Sequence, residues 1–228
     1  MKVLACIALI VAMAGAAVEA QGEAPAMRVR HVGVSGGILW SGGYPVGDAV
    51  ATLRPNAPGS GAPPFTLFAT ASTLEAAVGA GARVGFAVTS SLALEVGLSF
   101  ARPRVSVAIS QDQESRAQVL EGESIEQYVV DAGALWHLPI RFGRRVRPFV
   151  SGGAGYLRQL HQERTLAETG RTYYAGAGLR YWIRGGDGTG RSIGLRGDAR
   201  ATWKTGGIDF ERRTRVSPSL ALQAFIDF

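Results

Sequence analysis

Hydrophobic and polar side chains alternate along this chain in eight separate stretches, at the two-residue period that turns successive side chains to opposite faces of a strand. Val32, Val34, Gly36, Ile38 and Trp40 share the first such face. Leu74, Ala76, Val78, Ala80, Ala82, Val84, Phe86 and Val88 share the second, with Glu75, Gly79, Gly81, Arg83 and Gly85 between them. Leu92, Leu94, Val96, Leu98 and Phe100 form a third row opposite Glu95 and Ser99, and Tyr128, Val130, Ala132, Ala134, Trp136 and Leu138 a fourth opposite Gln127, Asp131, Gly133 and His137. Val150, Ala154 and Tyr156 mark a weaker fifth row in a Gly-rich run. Tyr173, Ala175, Ala177, Leu179, Tyr181 and Ile183 make the sixth, against Gly176, Gly178 and Arg180. Ile193, Leu195, Ala199, Ala201 and Trp203 make the seventh, against Arg196, Asp198 and Arg200. The eighth runs through Leu220, Leu222, Ala224 and Ile226 to the terminal Phe228, with Ser219, Gln223 and Asp227 on its other side.

The links between these rows alternate in length. Thr89–Ser91, about Arg141 to Arg145, and Gly185–Gly190 are tight turns, whereas Ser41–Thr70 is long and rich in Pro and Gly, and Gln111–Ser124 is long and polar. Together, rows and links predict an all-β fold: an eight-stranded antiparallel up-and-down transmembrane β-barrel with short periplasmic turns, longer outer loops and both termini periplasmic. Pro103 and the changed phase at Val105, Val107 and Ile109 fit an extension of strand three above the membrane, or else a defect in the wall.

Aromatic placement adds to this. Tyr128 and Trp136 lie eight residues apart on one face, as do Tyr173 and Tyr181, and eight tilted strand residues cover roughly 20 Å of height against an apolar band of roughly 25 Å. The expected interface rings are Phe86, Trp136, Tyr181 and Phe228 at the periplasmic edge and Trp40, Phe100, Tyr128, Tyr156, Tyr173 and Trp203 at the outer edge. A soluble sandwich would bury these rings, and a soluble lipocalin-type barrel would exchange the two faces. The polar face, however, is mostly Gly, Ala and Ser with few charges, and Lys204 is the only lysine beyond the leader. A wall in water is expected to be rich in Lys and Glu.

The N-terminus supplies a route to such a membrane. Met1–Lys2, the apolar run Val3–Val18 and Val18-Glu19-Ala20 have the three zones of a secretory signal peptide, with cleavage expected after Ala20, a short periplasmic segment over residues 21–27 and a barrel domain over 28–228. A membrane-spanning helix is the competing reading of the same run, which is short for one and lacks a stop-transfer flank. Cleavage removes Cys6, the only cysteine, and with it any disulfide or thiolate ligand. The 31 glycines and 8% aromatic content argue against a helical protein.

With its leader, its alternating segments, Gly-rich strands such as Pro148-Phe149-Val150-Ser151-Gly152-Gly153-Ala154-Gly155-Tyr156 and a terminal Phe228, the chain resembles the small OmpA/OmpX-type outer-membrane barrels over nearly its whole length. In that resemblance Leu222, Ala224, Ile226 and Phe228 correspond to the C-terminal signal read by the barrel-insertion machinery. The resemblance does not extend to the added peptidoglycan-binding domain of longer relatives, so peptidoglycan anchoring is not implied.

Candidate chemistry lies in the lumen, the loops and the rims. The expected lumen charge network sets Glu75, Glu95, Asp131 and Asp198 against Arg83, Arg180, Arg196 and Arg200, with Arg83 diagonal to Glu95. Confined charges must be paired or hydrated, and the simplest reading is a closed, salt-bridged plug, with structural or adhesive work done by the loops. The alternative is a narrow pore or a conduit for ions or small hydrophobic molecules. The net charge of +6 comes mainly from arginines near strand ends: Arg28, Arg30, Arg141, Arg144, Arg145 and Arg147 at the inner rim, and Arg102, Arg104, Arg164, Arg171, Lys204, Arg212, Arg213 and Arg215 at the outer. The outer set suits lipopolysaccharide phosphates. Bracketing an apolar belt, these charges lack the one-sided basic face expected of a nucleic-acid binder. His161, beside Glu163, is the one candidate for lipid-hydrolase chemistry, but no Ser stands at a motif spacing, so no catalytic residue is assigned. Gly79-Ala80-Gly81 and Gly176-Ala177-Gly178 do not continue as nucleotide loops, and no metal or cofactor site is expected.

Overall fold

A computed structural model describes residues 31–53, 64–113, 115–143, 145–162, 166–186, 189–211 and 213–228. The expected signal peptide, the segment 21–27, and Arg28, Arg30, Arg144, Glu163, Arg164 and Arg212 lie outside them. Twelve strands are present: β1 (His31–Ser41), β2 (Tyr44–Leu53), β3 (Phe65–Leu74), β4 (Ala77–Ala87), β5 (Leu92–Ala101), β6 (Arg104–Ser110), β7 (Gln118–Ser124), β8 (Glu126–His137), β9 (Val146–Leu160), β10 (Ala167–Gly186), β11 (Thr189–Gly206) and β12 (Arg215–Asp227).

Eight of them close an antiparallel barrel in the order β1-β12-β11-β10-β9-β8-β5-β4. β1 joins the ends of the sheet, pairing with β12 from Gly33↔Asp227 to Ser41↔Ser219 and with β4 from His31↔Ala87 to Ser41↔Ala77. At one end of the barrel β4–β5, β8–β9 and β10–β11 are joined directly; at the other, β9–β10 and β11–β12 are joined directly, while the β1–β4 and β5–β8 links carry β2 with β3 and β6 with β7. The β4–β5 and β5–β8 registers run without a shift, so Pro103 marks the top of a strand and not a defect in the wall.

Alternation sorts the side chains as expected for a wall with a polar inside. Ile38, Val78, Val96, Val130, Trp136, Leu179, Ile183, Leu220 and Leu222 are exposed outward, while Arg83, Glu95, Asp131, Arg196 and Asp198 are buried. The exterior rings fall at the strand ends. The register sets Phe100 beside Tyr128, with centroids 5.0 Å apart, and Tyr173 beside Trp203, all toward the long-link end. Phe86, Trp136, Tyr181 and Phe228 lie toward the other end, and Leu222, Ala224 and Phe228 are exposed along the outer face of β12.

The long links hold the principal departure from the alternation pattern. The second row does not run unbroken from Leu74. It divides at Glu75-Ala76 into β3 and β4, and β2, β3, β6 and β7 form a separate four-stranded sheet in the order β2-β3-β6-β7. This sheet closes over the barrel mouth around a core of Tyr44, Val46, Leu74, Ile125 and Ile208, with Val105 packed against it. Leu74 is therefore a core residue of the cap, not of the wall. The segments 41–70 and 111–124, expected as loops, largely build this sheet; their Pro, Gly and polar content hid short, irregular strands. The ladders carry bulges between Pro45 and Gly47, Ala51 and Thr52, and Arg104 and Ser106, which defeat a strict two-residue period.

Replacing Leu74, 1% exposed, with Ala leaves a void at the centre of that core, at a cost of about 2–5 kcal/mol. Limited proteolysis of Leu74→Ala should show faster cleavage within β2, β3, β6 and β7 while the barrel keeps its heat-modifiable migration on a gel. Equal cleavage of the two proteins would show that the cap is not held by this core.

Candidate functional site

Within the barrel, small inward residues make room for long ones to cross. A Cβ placed on Gly97 would stand 2.9 Å from the Arg83 guanidinium carbon, so glycine leaves the room in which that side chain lies over β5. Arg83, on β4, grips Asp131, on β8, with two hydrogen bonds of 2.8 and 3.0 Å. Arg196, on β11, reaches Glu95, on β5, with bonds of 2.6 and 3.0 Å. β5 and β11 stand opposite each other in the ring, so this pair spans the lumen. Arg196 also donates to Asp198 at 3.0 Å, and Asp198 in turn holds Arg200 at 2.8 Å. Arg180 binds Asp227 at 2.9 and 3.1 Å, and Ser192 donates to the same carboxylate.

Six of the eight residues expected in the lumen network are linked in one series of ion pairs, Asp131–Arg83–Glu95–Arg196–Asp198–Arg200, and Arg180 pairs separately with Asp227. Glu75 joins neither. It sits at the β3–β4 break, exposed at the barrel mouth, because the wall begins only at Ala77. Asp227 takes a place in the network, its position on the inward face of β12 having been visible in the sequence. The diagonal Arg83–Glu95 contact is present but long, at 4.0 Å. Arg83 finds a closer partner one strand beyond β5, on β8, and Glu95 finds one across the lumen, on β11, which pairing within one hairpin cannot reveal.

Four aromatic residues also point inward, and the sequence reading missed them. Phe225 shares its phase with Gln223 and Asp227, Trp182 with Arg180, Phe149 with Arg147 and Ser151, and Tyr174 with Gly176; an aromatic interrupting a polar row was the available signal. Arg83, Arg180, Arg196 and Arg200 each lie against at least one of these rings. The Arg180 guanidinium carbon is 4.0 Å from the Phe225 centroid and 5.5 Å from that of Trp182. That of Arg196 is 4.7 Å from Phe149, and those of Arg200 and Arg83 are 4.7 and 5.8 Å from Tyr174. Desolvated contacts of this type contribute about 2 kcal/mol each. Phe149, Trp182 and Phe225 are almost wholly buried and form a floor toward the short-turn end. Phe225 fits only because Gly194 faces it, since a Cβ there would come within 2.5 Å of the ring.

The network divides the interior. Toward the short turns a cavity of about 30 Å³ lies among His31, His137, Arg180 and Asp227. Toward the long links a cavity of about 80 Å³ is lined by Arg83, Asp131, Thr172, Arg200, Thr202 and Lys204, among others. Lys204, which lines this chamber, reaches Tyr44 of the cap. Gln159, fully buried, donates to Gln127 at 3.0 Å and to the Tyr44 hydroxyl at 3.4 Å, and accepts from the Ile208 backbone at 2.8 Å. Burial pushes the Tyr44 phenol up to about 12, so it stays neutral.

The rim charges depart from expectation at three positions, Lys204, Arg215 and Arg147. Lys204 does not face outward; it is 4% exposed, inside the upper chamber, with its ammonium 4.4 Å from the Tyr44 ring centroid. Arg215 folds onto Asp209 at 3.2 Å and Glu211 at 3.0 Å, and Glu211 also accepts from the Asp48 backbone, which ties β2 to the β11–β12 link. The Arg215 hydrogen bond holds the Glu211 carboxyl below its ordinary range. Arg102, Arg104 and Arg213 remain mostly exposed, each touching one carboxylate: Glu126, Glu121 and Glu211. Arg147, expected at the inner rim, is buried, while Arg141 and Arg145 are exposed. His161 lies between Glu123 and Glu168, joining β7 to β10. That arrangement makes it a clasp on the cap.

Comparison with known proteins gives a likeness of fold. No family model matches the chain, and no curated protein matches it. Among solved structures, the chain is similar to the outer membrane protein OprG from Pseudomonas aeruginosa at 11% identity, with 87% of this chain and 95% of that one covered and a TM-score of 0.46. It is similar to Neisserial surface protein A at 12% identity, covering 86% and 95%, with a TM-score of 0.46. It is similar to Ail, the attachment invasion locus protein of Yersinia pestis, at 14% identity, covering 87% and 98%, with a TM-score of 0.42.

Proposed function

We propose that this chain is an integral barrel of a bacterial outer membrane, with its lumen closed by ion pairs and its loop sheet as the working surface, in a structural or adhesive role. The observation that carries this reading is the inversion of the wall. Ile38 is 61% exposed, Val78 69% and Trp136 58%, while Arg196 is 3% and Asp198 6% exposed. A protein in water rarely leaves so continuous an apolar band uncovered; lipid removes that cost, and a closed sheet leaves no backbone edge for lipid to meet. Short turns at one end and long links at the other support both termini being periplasmic. Leu222, Ala224, Ile226 and Phe228 support handling by the barrel-insertion machinery.

At the outer rim, the exposed Arg102, Arg104, Arg171 and Arg213 are suited to lipopolysaccharide phosphates by their forked donors. Beyond them the loop sheet exposes Val50, Leu53, Phe65, Val119 and Leu120. Apolar side chains held above the membrane on ordered strands favour contact with a surface partner over a purely mechanical role.

Leu222 lies midway along the outer face of β12. Leu222→Arg should destabilise the barrel in vesicles by about 2–4 kcal/mol, as read from urea-dependent folding; a change within about 0.5 kcal/mol would mean that water faces this wall. In planar bilayers the wild-type barrel should show no discrete conductance steps. Steps that vanish on changing Arg196 or Arg200 would make the protein a narrow pore instead. Cells displaying Phe65→Ser with Val119→Ser should adhere less than wild type at equal surface amounts, and unchanged adherence would remove the loop sheet from that role.

A further inference from the structure

Lys204 breaks a rule that every charged pair around it keeps. Arg83, Arg180, Arg196 and Arg200 each have both an aromatic face and a carboxylate. Lys204 has the aromatic face, that of Tyr44, and no carboxylate among the described residues, although it is 4% exposed. Its chamber is correspondingly unbalanced. Three cations, Arg83, Arg200 and Lys204, border it with one carboxylate, Asp131, whose two oxygens are already bound by Arg83. Arg200 leans on Asp198, which it shares with Arg196. A buried ammonium without a counter-charge is costly, and the cavity beside it has about 80 Å³ of space, enough for several waters or for one small ion with its hydration.

We propose that the upper chamber is a binding site for a small free anion, a halide or a single carboxylate or phosphate, with the Lys204 ammonium as its principal charge. Thr172, Thr202 and Gln127 border the same space and can donate hydrogen bonds. At about 80 Å³ the cavity is too small for a lipid headgroup with its chains attached, so the ligand is a small ion in solution. The site rests on the closed lumen of the preceding reading. The two fail separately: a leaking lumen shows in bilayer currents, and an empty site shows in anion titrations.

The test is the ³⁵Cl NMR linewidth of sodium chloride with the whole barrel refolded in a non-ionic detergent, followed by competition with formate and then inorganic phosphate. Wild type should give excess broadening that a competitor removes, and the competitor that does so sets the size limit of the site. Lys204→Met should lose the excess, whereas Arg102→Gln, changed at the exposed rim, should keep it. Equal broadening in wild type and Lys204→Met overturns the proposal, as does a wild type without any excess. Glu75 borders a narrow cleft shared with Lys204 and is an alternative counter-charge: excess broadening found only in Glu75→Gln would make that carboxylate the partner and also overturn the proposal. Should Lys204→Met not refold, Thr202→Leu fills the chamber with its charges intact and is expected to lose the broadening in the same way.

Discussion

Closure of β1 onto both β12 and β4 is the constraint from which the rest of this structure follows. Every wall strand pairs with a neighbour on both sides, so none is left as an edge for solvent or another chain to satisfy. Once the ring is closed, a side chain on a strand has only two destinations, and a two-residue period assigns each one to the outside or the inside. The outside then becomes an unbroken band of Val, Leu, Ile and aromatic residues. The inside, with eight strands, has room for side chains and little else.

That narrow interior explains why its charges are arranged across the ring more than along it. An arginine is long enough to cross, provided that the strand it passes over presents glycine, as Gly97 does beneath Arg83. The Arg196–Glu95 pair ties opposite walls together and fixes the cross-section as well as neutralising charge. Removing one member would strand its partner at a cost of about 3–5 kcal/mol. The rings stacked on the guanidinium groups fill the remaining volume, so the lumen is packed by alternating planes of cation and aromatic carbon. Its two ends are closed differently. The floor is made by Phe149, Trp182 and Phe225, residues of the barrel strands themselves. The roof is made by Tyr44 and the loop sheet, which have a core of their own around Leu74 and Ile125. The floor is therefore inseparable from the wall, while the roof is a distinct unit resting on it.

This division matches what could be read from the chain. The eight wall strands were legible because burial is one-sided and strictly periodic along them, and seven lumen charges were legible because they interrupt an otherwise small-residue face. The loop sheet was not. Its strands are short, bulged and flanked by Pro and Gly, and their pairing β2-β3-β6-β7 joins two links far apart in sequence. Leu74 and Glu75 were assigned to the wall because their alternation continues in phase with β4, although the chain turns between them and Ala77. Lys204 and Arg215 looked like rim charges because position along a strand fixes height but not the direction of a long side chain. The inward aromatics were hidden by the assumption that apolar means outward, which fails wherever a guanidinium offers a ring a partner inside.

The choice of lysine at position 204 follows from the same geometry. A guanidinium is planar and forked, and it is best satisfied by a carboxylate that the protein fixes opposite it, the arrangement that Arg83, Arg180 and Arg196 adopt. An ammonium is compact, has three donors spread around its axis and imposes no plane on what it binds. Set beneath a neutral phenol ring at 4.4 Å and opening onto a chamber edged with hydroxyl and amide groups, it is the cation suited to a mobile, roughly spherical partner. In the packed lower lumen, where every partner is built into the wall, arginine serves throughout. In the upper chamber, where space remains, the lysine stands where a partner has to come from outside the chain.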